Sequence, residues 1–247
     1  MKPEQLPENF QRIATDQPFV FCCHPGVPCF TECCRELDLA LTPYDVLRLK
    51  RYLQLSSDKF LEEYVIIEWE EQELFPTCYL TMIDDGRASC VFVREAGCSV
   101  YDDRPGSCRA YPVGRGASRN AEMTFAESLV LIREAHCRGF AETGNQTVGK
   151  YLLDQGLAEY NRFNDALLPL LQHPRLQAQT FRPSRQQLDQ YILALYNLDQ
   201  FRREITDGRI TLQSTLTPQL LKGLLTGNDE ELLLLGIRWL MQEFFDE

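Results

Sequence analysis

The sequence predicts an α+β protein, in which a small cysteine-rich metal-binding module with short strands and helices is followed by an α-helical C-terminal domain. All ten cysteines fall within the first 137 of the 247 residues. Short β-like runs and glycine turns lie among these cysteines, whereas the chain beyond residue 144 carries apolar residues at helical spacing. We therefore expect a flexible N-terminal arm over 1–18, the metal-binding module over 19–144 and the helical domain over 145–247.

Composition limits the classes of function. A chain of 247 residues can bury a core without disulfide staples. The first residues form no apolar leader, and the apolar run at 232–237 is too short to span a bilayer. We therefore expect a cytoplasmic protein whose cysteines are thiols and which has no membrane partner. The formal net charge of −11 argues against binding to nucleic acid or to an anionic lipid surface.

Five cysteines are concentrated between Phe19 and Arg35, namely Cys22, Cys23, Cys29, Cys33 and Cys34. Thiols this close either oxidise or share metal, and a reducing compartment favours metal. Neighbouring side chains such as those of Cys33 and Cys34 diverge by about 100° on a helix and about 180° on a strand. They therefore suit two metals, or two corners of one cluster, better than a single tetrahedral ion. This crowding predicts a multinuclear centre or two neighbouring sites.

Three β-like runs follow, at Cys78–Ile83, Cys90–Val93 and Cys98–Tyr101. The intervening segments 84–86 and 95–97 each end in glycine, so we expect hairpin turns there. Cys90 and Cys98 would then flank a tight connection, which is how knuckles present paired ligands to a metal.

Four arginines and no acidic residue lie between Arg104 and Ala121 of this acidic chain. The segment is an ordinary exposed loop, a site for an anionic ligand, or a source of charge compensation for metal-bound thiolates. Because Arg104 and Arg109 flank Cys108, we assign those two to compensation at the bound cofactor.

Capping signals mark the predicted helices. Thr42, with Pro43 and Asp45 after it, begins the first of them as a capping box. Ser184 and Gln187 form a second capping box, which predicts one long helix reaching Phe201. Further helices are expected over 147–153 and 157–171, after Pro218, and from an Asn228 cap through 232–245.

A set of motifs resembles the YkgJ-type cysteine-cluster family, which is described as zinc- or iron-chelating. The motifs are Cys29-Phe-Thr-Glu-Cys33-Cys34, Leu41-Thr-Pro-Tyr-Asp45 with Arg48-Leu49, Cys90-Val-Phe-Val, Cys98-Ser-Val-Tyr, Arg104-Pro and Cys108-Arg-Ala-Tyr-Pro112. The resemblance covers roughly residues 19–140. The opening is stretched relative to the family's Cys-x-x-Cys-x-x-Cys-Cys, and in this it resembles the flagellin lysine-N-methylase.

The resemblance implies eight metal ligands, namely Cys23, Cys29, Cys33, Cys34, Cys90, Cys98, Cys108 and Cys137. The stretched opening leaves the choice between Cys22 and Cys23 open, with Cys23 favoured. Cys78 matches no family position, and we expect it to be a buried structural thiol. His24 and His136 stand beside ligands without being assigned as ligands.

We accordingly expect a metal-binding protein that chelates zinc or iron, with an iron–sulfur cluster as one form. One alternative is an S-adenosylmethionine-dependent protein lysine methylase. Against it, the sequence has no glycine-rich nucleotide loop, and Glu36 stands where a radical-enzyme motif counted from Cys29 needs its third cysteine. The other alternative is a zinc-stabilised interaction module that binds a protein partner through its helical C-terminal domain. Enzymatic activity stays open. We expect His173 to be exposed, and Tyr101 and Tyr111 to be core residues.

Overall fold

The structure, a computed structural model, describes residues 6–70, 73–119, 124–212 and 217–247. Residues 1–5 of the predicted arm lie outside this part of the chain. The fold mixes helices with short antiparallel strands and has a helical C-terminal region, which confirms the predicted α+β class.

The strands, in chain order, are β1 Phe10–Ile13, β2 Pro18–Phe19, β3 Val65–Glu68, β4 Thr77–Leu80, β5 Met82–Ile83, β6 Ser89–Cys90, β7 Val93–Arg94, β8 Gly97–Cys98, β9 Val113–Arg119, β10 Phe125–Ile132 and β11 Gln146–Thr147. The helices are α1 Pro43–Leu53, α2 Ser57–Tyr64, α3 Gly106–Ala110, α4 Val148–Asp154, α5 Ala158–Leu171, α6 Pro174–Gln177, α7 Arg185–Leu195, α8 Leu198–Thr206, α9 Pro218–Thr226 and α10 Asp229–Phe245. No helix in the described ranges is both long enough and apolar enough to cross a bilayer.

The chain forms two compact units, each made of two separate stretches of sequence. The first unit combines Met1–Leu37 with Met82–Arg162, and the second combines Asp38–Thr81 with Phe163–Glu247. Nine cysteines belong to the first unit, and Cys78 belongs to the second. The division predicted from the sequence, with a metal-binding module over 19–144 and a helical domain over 145–247, stays a prediction.

A three-stranded antiparallel sheet in the order β1-β10-β9 organises the first unit. β1 pairs with β10, with Phe10 opposite Ile132, so the predicted arm includes a paired strand. Its Ile13 is buried, and the burial of this side chain ties the strand to the sheet. The core on this sheet consists of Ile13, Phe19, Phe21, Val113, Leu129, Leu131, Val148 and Tyr151.

Hairpins form around the two predicted turns, but their strands are only two residues long, and the predicted run Cys78–Ile83 is divided between β4 and β5. β5 pairs with β6, with Met82 opposite Cys90, and β7 pairs with β8, with Val93 opposite Cys98. Gly97 adopts φ 121°, a conformation open to glycine, and a Cβ there would lie 3.2 Å from the Phe30 ring. The Phe30 side chain therefore packs directly on the β7–β8 turn and holds the hairpin against the 29–34 segment.

Helices dominate the second unit, together with the β3–β4 hairpin. The capping box at Thr42 and Asp45 forms as predicted and begins α1. Tyr44 stacks on Phe163 with ring centroids 4.3 Å apart. α10 approaches α7 so closely that a Cβ on Gly236 would lie 2.4 Å from the Ala194 carbonyl oxygen, and only glycine fits there.

The predicted long helix beyond Ser184 is two helices. The Ser184–Gln187 capping box starts α7 as expected, but α7 ends at Leu195. Asn197 adopts φ −104°, ψ 60°, outside the helical region, and its side chain accepts a hydrogen bond from the Gln200 amide. Because an asparagine in this conformation caps a new helix, Phe201 lies in α8.

His173 is buried, so its predicted exposure was wrong. It is 5% exposed, its ring stacks on that of Phe245 at a centroid distance of 3.6 Å, and its Nδ1 accepts a hydrogen bond from the Arg175 amide at 3.2 Å. The imidazole thus caps α6 and packs against an aromatic ring, roles that its position before Pro174 did not indicate.

Candidate metal centre

Four cysteine side chains of the first unit line one cavity of about 20 Å³. Its lining consists of Phe21, Cys23, Cys29, Cys33, Tyr111, His136, Cys137 and Gly139. A volume of this size holds one water-sized or ion-sized occupant, for which about 10–15 Å³ suffices. Cys23, Cys29, Cys33 and Cys137 form no disulfide, so no S–S bond competes for these sulfur atoms.

A chain of tight turns brings three of the four thiols together. The Val27 amide donates to the His24 carbonyl at 2.9 Å, and the Glu32 amide donates to the Cys29 carbonyl at 3.0 Å. Val27 is buried, which anchors the turn between Cys23 and Cys29. A 3-10 turn over Glu32–Cys34 then returns Cys33 towards the same cavity.

Gly139, two residues after Cys137, contacts the segment that carries Cys22 and Cys23. The Cys22 amide donates to the Gly139 carbonyl at 3.0 Å. A Cβ on Gly139 would lie 2.8 Å from the Cys22 carbonyl oxygen and 2.7 Å from the Phe21 ring. The absence of a side chain at Gly139 therefore permits the close approach that brings Cys23 and Cys137 to one cavity.

The backbone also contacts a sulfur atom directly. The Arg138 amide donates to Cys29 Sγ at 3.0 Å. Hydrogen bonds of this kind stabilise the thiolate form of cysteine and tune sulfur ligands in metal centres.

Burial and mutual repulsion oppose ionisation of the thiols in the absence of a cation. Burial, together with the neighbouring Cys33, Cys29 and Cys137, raises the pKa of Cys23 to about 11. A hydrogen bond with Cys34, followed by burial, raises the pKa of Cys33. A bound divalent cation would instead lower the pKa of these thiols, because it attracts the negative sulfur atoms that otherwise repel one another.

A second group of predicted ligands lies beside this cavity and does not line it. Cys34 is adjacent to Cys33 and raises the pKa of that thiol. Burial raises the pKa of Cys90 and of Cys98, Cys98 contributes to the shift at Cys90, and Cys33 contributes to the shift at Cys98. Cys98 is therefore close enough to both Cys33 and Cys90 to act on each electrostatically.

Polar contacts fasten the Cys33–Cys34 turn to the hairpin that carries Cys90. Arg87 Nη2 lies 2.7 Å from Glu32 Oε2, and the Glu36 amide donates to the Ala88 carbonyl at 3.0 Å. Arg35 donates to the hydroxyl of Ser89, the residue before Cys90. These contacts place the adjacent cysteine pair next to β6.

Arg104 and Arg109 bind backbone carbonyls. Arg104 donates to the Tyr101 carbonyl at 2.6 Å and to Gln155 Oε1 at 2.6 Å. Arg109 donates to the carbonyls of Arg104 and Gln155, each at 3.0 Å. Arg104 also lowers the pKa of Cys98, against the raising effect of burial, so its charge does reach a predicted ligand.

Cys108 is exposed on α3 and does not line the cavity.

Tyr101 is 57% exposed, so its predicted place in the core was wrong. Its ring lies under the Arg104 guanidinium, 3.8 Å from the ring centroid.

Sequence reasoning missed three contributors to the site. Arg94 lowers the pKa of Cys98 and of Cys90 against burial, and no charge pattern marked it. Gly139 also lines the cavity, a role that sequence reasoning did not assign to it. Tyr111 was expected in the core, but it is half-buried and lines the cavity. The contacts of Tyr111 and Gly139 are non-local, so adjacent residues carry no signal of them.

The Tyr111 hydroxyl is a buried polar atom that makes no hydrogen bond within the described part of the chain. Burial, followed by the approach of the Cys137 and Glu134 side chains to within hydrogen-bonding reach, raises the pKa of this phenol. This hydroxyl donor lies beside several thiols. A metal bound by those sulfur atoms would hold them as thiolates, which could accept a hydrogen bond from the hydroxyl.

The donor set fits zinc or iron, although side-chain movement is needed. In the described residues, no three or more His, Cys, Asp or Glu side chains are grouped closely enough to hold a metal ion as they stand. The four cavity thiols nevertheless match the all-sulfur sets that zinc and iron–sulfur centres use. The four cysteine side chains can rotate about χ1, and this rotation is the movement that would bring their sulfur atoms to a metal.

Comparison with known proteins agrees with this chemistry. Residues 22–140, just under half of the chain, match the CxxCxxCC family model, whose description is "Putative zinc- or iron-chelating domain". No curated protein and no solved structure matches the chain, so the resemblance to the flagellin methylase is unconfirmed. The matched range contains all ten cysteines. Residues 22–140 of the chain are therefore similar to the CxxCxxCC family of zinc- or iron-chelating domains.

Proposed function

We propose that this protein binds zinc or iron through Cys23, Cys29, Cys33 and Cys137. The observation that carries the proposal is their convergence, because thiols from positions up to 114 residues apart line one ion-sized cavity. Cys23 lines this cavity, whereas Cys22 does not, which supports Cys23 as the first ligand.

The remaining predicted ligands are Cys34, Cys90, Cys98 and Cys108. Eight thiolates exceed the four that one tetrahedral ion takes, so we infer a second ion or a multinuclear cluster beside the cavity. The electrostatic contact between Cys33 and Cys98 supports a centre that extends from the cavity towards β6 and β8.

The chemical role of such a centre depends on which metal it binds. Zinc has no redox chemistry and would contribute folding free energy to a unit whose cysteine-bearing strands are two residues long. Iron, alone or as an iron–sulfur cluster, would add electron transfer. Free thiols suit the reducing cytoplasm, which we infer as the compartment.

Anaerobic purification with elemental analysis and an absorption spectrum tests the proposal. A brown preparation that absorbs at roughly 400 nm and contains iron identifies an iron–sulfur protein. A colourless preparation with stoichiometric zinc identifies a zinc protein. A preparation that holds neither metal and takes up neither Zn²⁺ nor Fe²⁺ under anaerobic titration contradicts the proposal.

A further inference from the structure

The Tyr111 hydroxyl has no ordinary role in holding the fold together. Its oxygen is buried and makes no hydrogen bond within the described residues, although the side chain lines the cysteine cavity. A buried donor left unpaired costs about 1–3 kcal/mol, so such a group indicates a partner that arrives later.

The rest of Tyr111 is held firmly. Its amide donates to the Ser107 carbonyl at 3.1 Å, and its carbonyl accepts a hydrogen bond from the Tyr151 hydroxyl. Its ring meets Phe21 edge-on, with centroids 6.0 Å apart. A residue held through its backbone and packed against Phe21 through its ring delivers its hydroxyl to one place, which is what a group that orients a ligand requires.

The cavity lining restricts the acceptors that this hydroxyl can meet. Phe21 and Gly139 offer no polar side-chain atom, and the four cysteines offer sulfur. His136 also lines the cavity, and its Nε2 lies beside the Glu134 carboxylate. The Cys137 thiol and the Glu134 carboxylate are the polar side chains that lie next to the phenol. Glu134 already lies 3.6 Å from His136 Nε2 and is partly exposed, so water can also satisfy it.

We propose that Tyr111 is a positioning residue of the metal centre, whose hydroxyl donates a hydrogen bond to the Cys137 sulfur when that sulfur is a metal-bound thiolate. This inference rests on the proposed metal-binding function. A phenol is protonated at neutral pH and has a proton to share, and a metal-bound thiolate keeps lone pairs that accept it. Such a bond orients the ligand and withdraws electron density from the sulfur.

The test compares Tyr111→Phe with the wild-type chain, using Co²⁺ as a spectroscopic probe of thiolate binding. Tyr101→Phe is the matched control, because it removes an exposed hydroxyl from the same unit and keeps the ring under Arg104. We expect Tyr111→Phe to bind the same number of Co²⁺ ions, about 10–100-fold more weakly, as loss of a ligand's supporting hydrogen bond does. Its sulfur-to-cobalt charge-transfer band should move to lower energy, because the sulfur lone pairs are no longer stabilised.

The outcomes separate the two proposals. If the wild-type chain binds no Co²⁺, Zn²⁺ or Fe²⁺, the proposed function fails. If it binds Co²⁺ and Tyr111→Phe matches it in affinity and spectrum, the hydroxyl serves Glu134 and the Tyr111 inference is overturned. Should Tyr111→Phe fail to fold by circular dichroism, 3-fluorotyrosine at position 111 keeps the ring and hydroxyl. Its fluorine resonance must then shift on addition of Zn²⁺, and an unchanged resonance overturns the inference.

Discussion

The Arg138 amide donates a hydrogen bond to Cys29 Sγ at 3.0 Å, across a sequence separation of 109 residues. Arg138 follows Cys137 directly, so this bond places thiols from the two ends of the cysteine-rich segment side by side. It ties the position of the Cys29 sulfur atom to the backbone at Arg138. An amide that points at sulfur also favours the thiolate that a metal needs.

Replacing Cys29 should therefore remove metal, whereas replacing Cys78 should not. We expect Cys29→Ala to lower the bound zinc or iron per chain, because one of the four cavity sulfur atoms is lost. Cys78→Ala is the matched control, since Cys78 is fully buried in the other unit. It should keep its metal and lose about 1–2 kcal/mol of unfolding free energy through a small cavity. Elemental analysis of both variants measures the bound metal. Equal loss of metal from the two variants would contradict the assignment of Cys29 as a ligand.

Gly139→Ala should weaken metal binding without removing any ligand. The added methyl group would sit 2.8 Å from the Cys22 carbonyl oxygen, so the Phe21–Cys23 segment must move away from Cys137. We expect a cost of about 1–3 kcal/mol in unfolding free energy and at least about a tenfold loss of Zn²⁺ affinity, measured by competition with a chelator.

Gly223→Ala provides the control for this substitution. Gly223 lies in α9, and no atom lies within 4 Å of the point that an alanine Cβ would occupy, so alanine there is tolerated and favours the helix. Unchanged Zn²⁺ affinity in Gly139→Ala would show that the close approach of Gly139 to Cys22 does not shape the site.

A buried ion cluster should make the second unit sensitive to acid. Lys50 Nζ lies 2.9 Å from Asp199 Oδ2 and 2.8 Å from Asp229 Oδ2, and Lys50 is 5% exposed. Burial alone would raise the pKa of Asp199, but hydrogen bonds from Lys50 and Ser57 outweigh it and lower the pKa to about 2. The resulting stability, about 2 kcal/mol, is fully present above pH 4 or so and is lost as the pH falls towards 2.

Urea unfolding of Asp199→Asn between pH 7 and pH 2 measures this contribution. At pH 7 the variant should be less stable than the wild-type chain by about 2–4 kcal/mol, because Lys50 loses a buried partner. The difference should shrink as Asp199 of the wild-type chain becomes protonated. Asp189→Asn, in an exposed pair with Arg185, should change stability by less than about 1 kcal/mol at every pH. A difference between Asp199→Asn and the wild-type chain that does not vary with pH would refute the role of Asp199 ionisation.

Metal removal should loosen the cysteine segments before the sheet of the same unit. The strands that carry Cys90 and Cys98 are two residues long, whereas β9 and β10 pair over seven residues. Metal bound to the folded state adds stability by mass action. We expect chelation to speed amide hydrogen exchange over residues 22–37 and 133–141, with little change in β10. Equal exchange with and without metal would count against a bound ion at these segments.

Local features account for what sequence reasoning predicted. The capping boxes at Thr42 and Ser184 form because each depends on residues three positions apart. The hairpins that carry Cys90 and Cys98 form because their glycine-containing turns act over a few residues. The break between α7 and α8 was missed because the apolar spacing continues through Asn197, whose non-helical backbone interrupts it.

By itself the sequence determined the α+β class, the sulfur-rich chemistry and the similarity of residues 22–140 to a zinc- or iron-chelating family, because residue type and short-range spacing carry all three. Only the tertiary structure decided which thiols share a cavity, that Cys78 belongs to another unit, and that Tyr111 faces Cys137 with its hydroxyl unpaired. These facts depend on contacts between residues far apart in the chain. Such contacts are set by the packing of whole elements, and no local pattern encodes them.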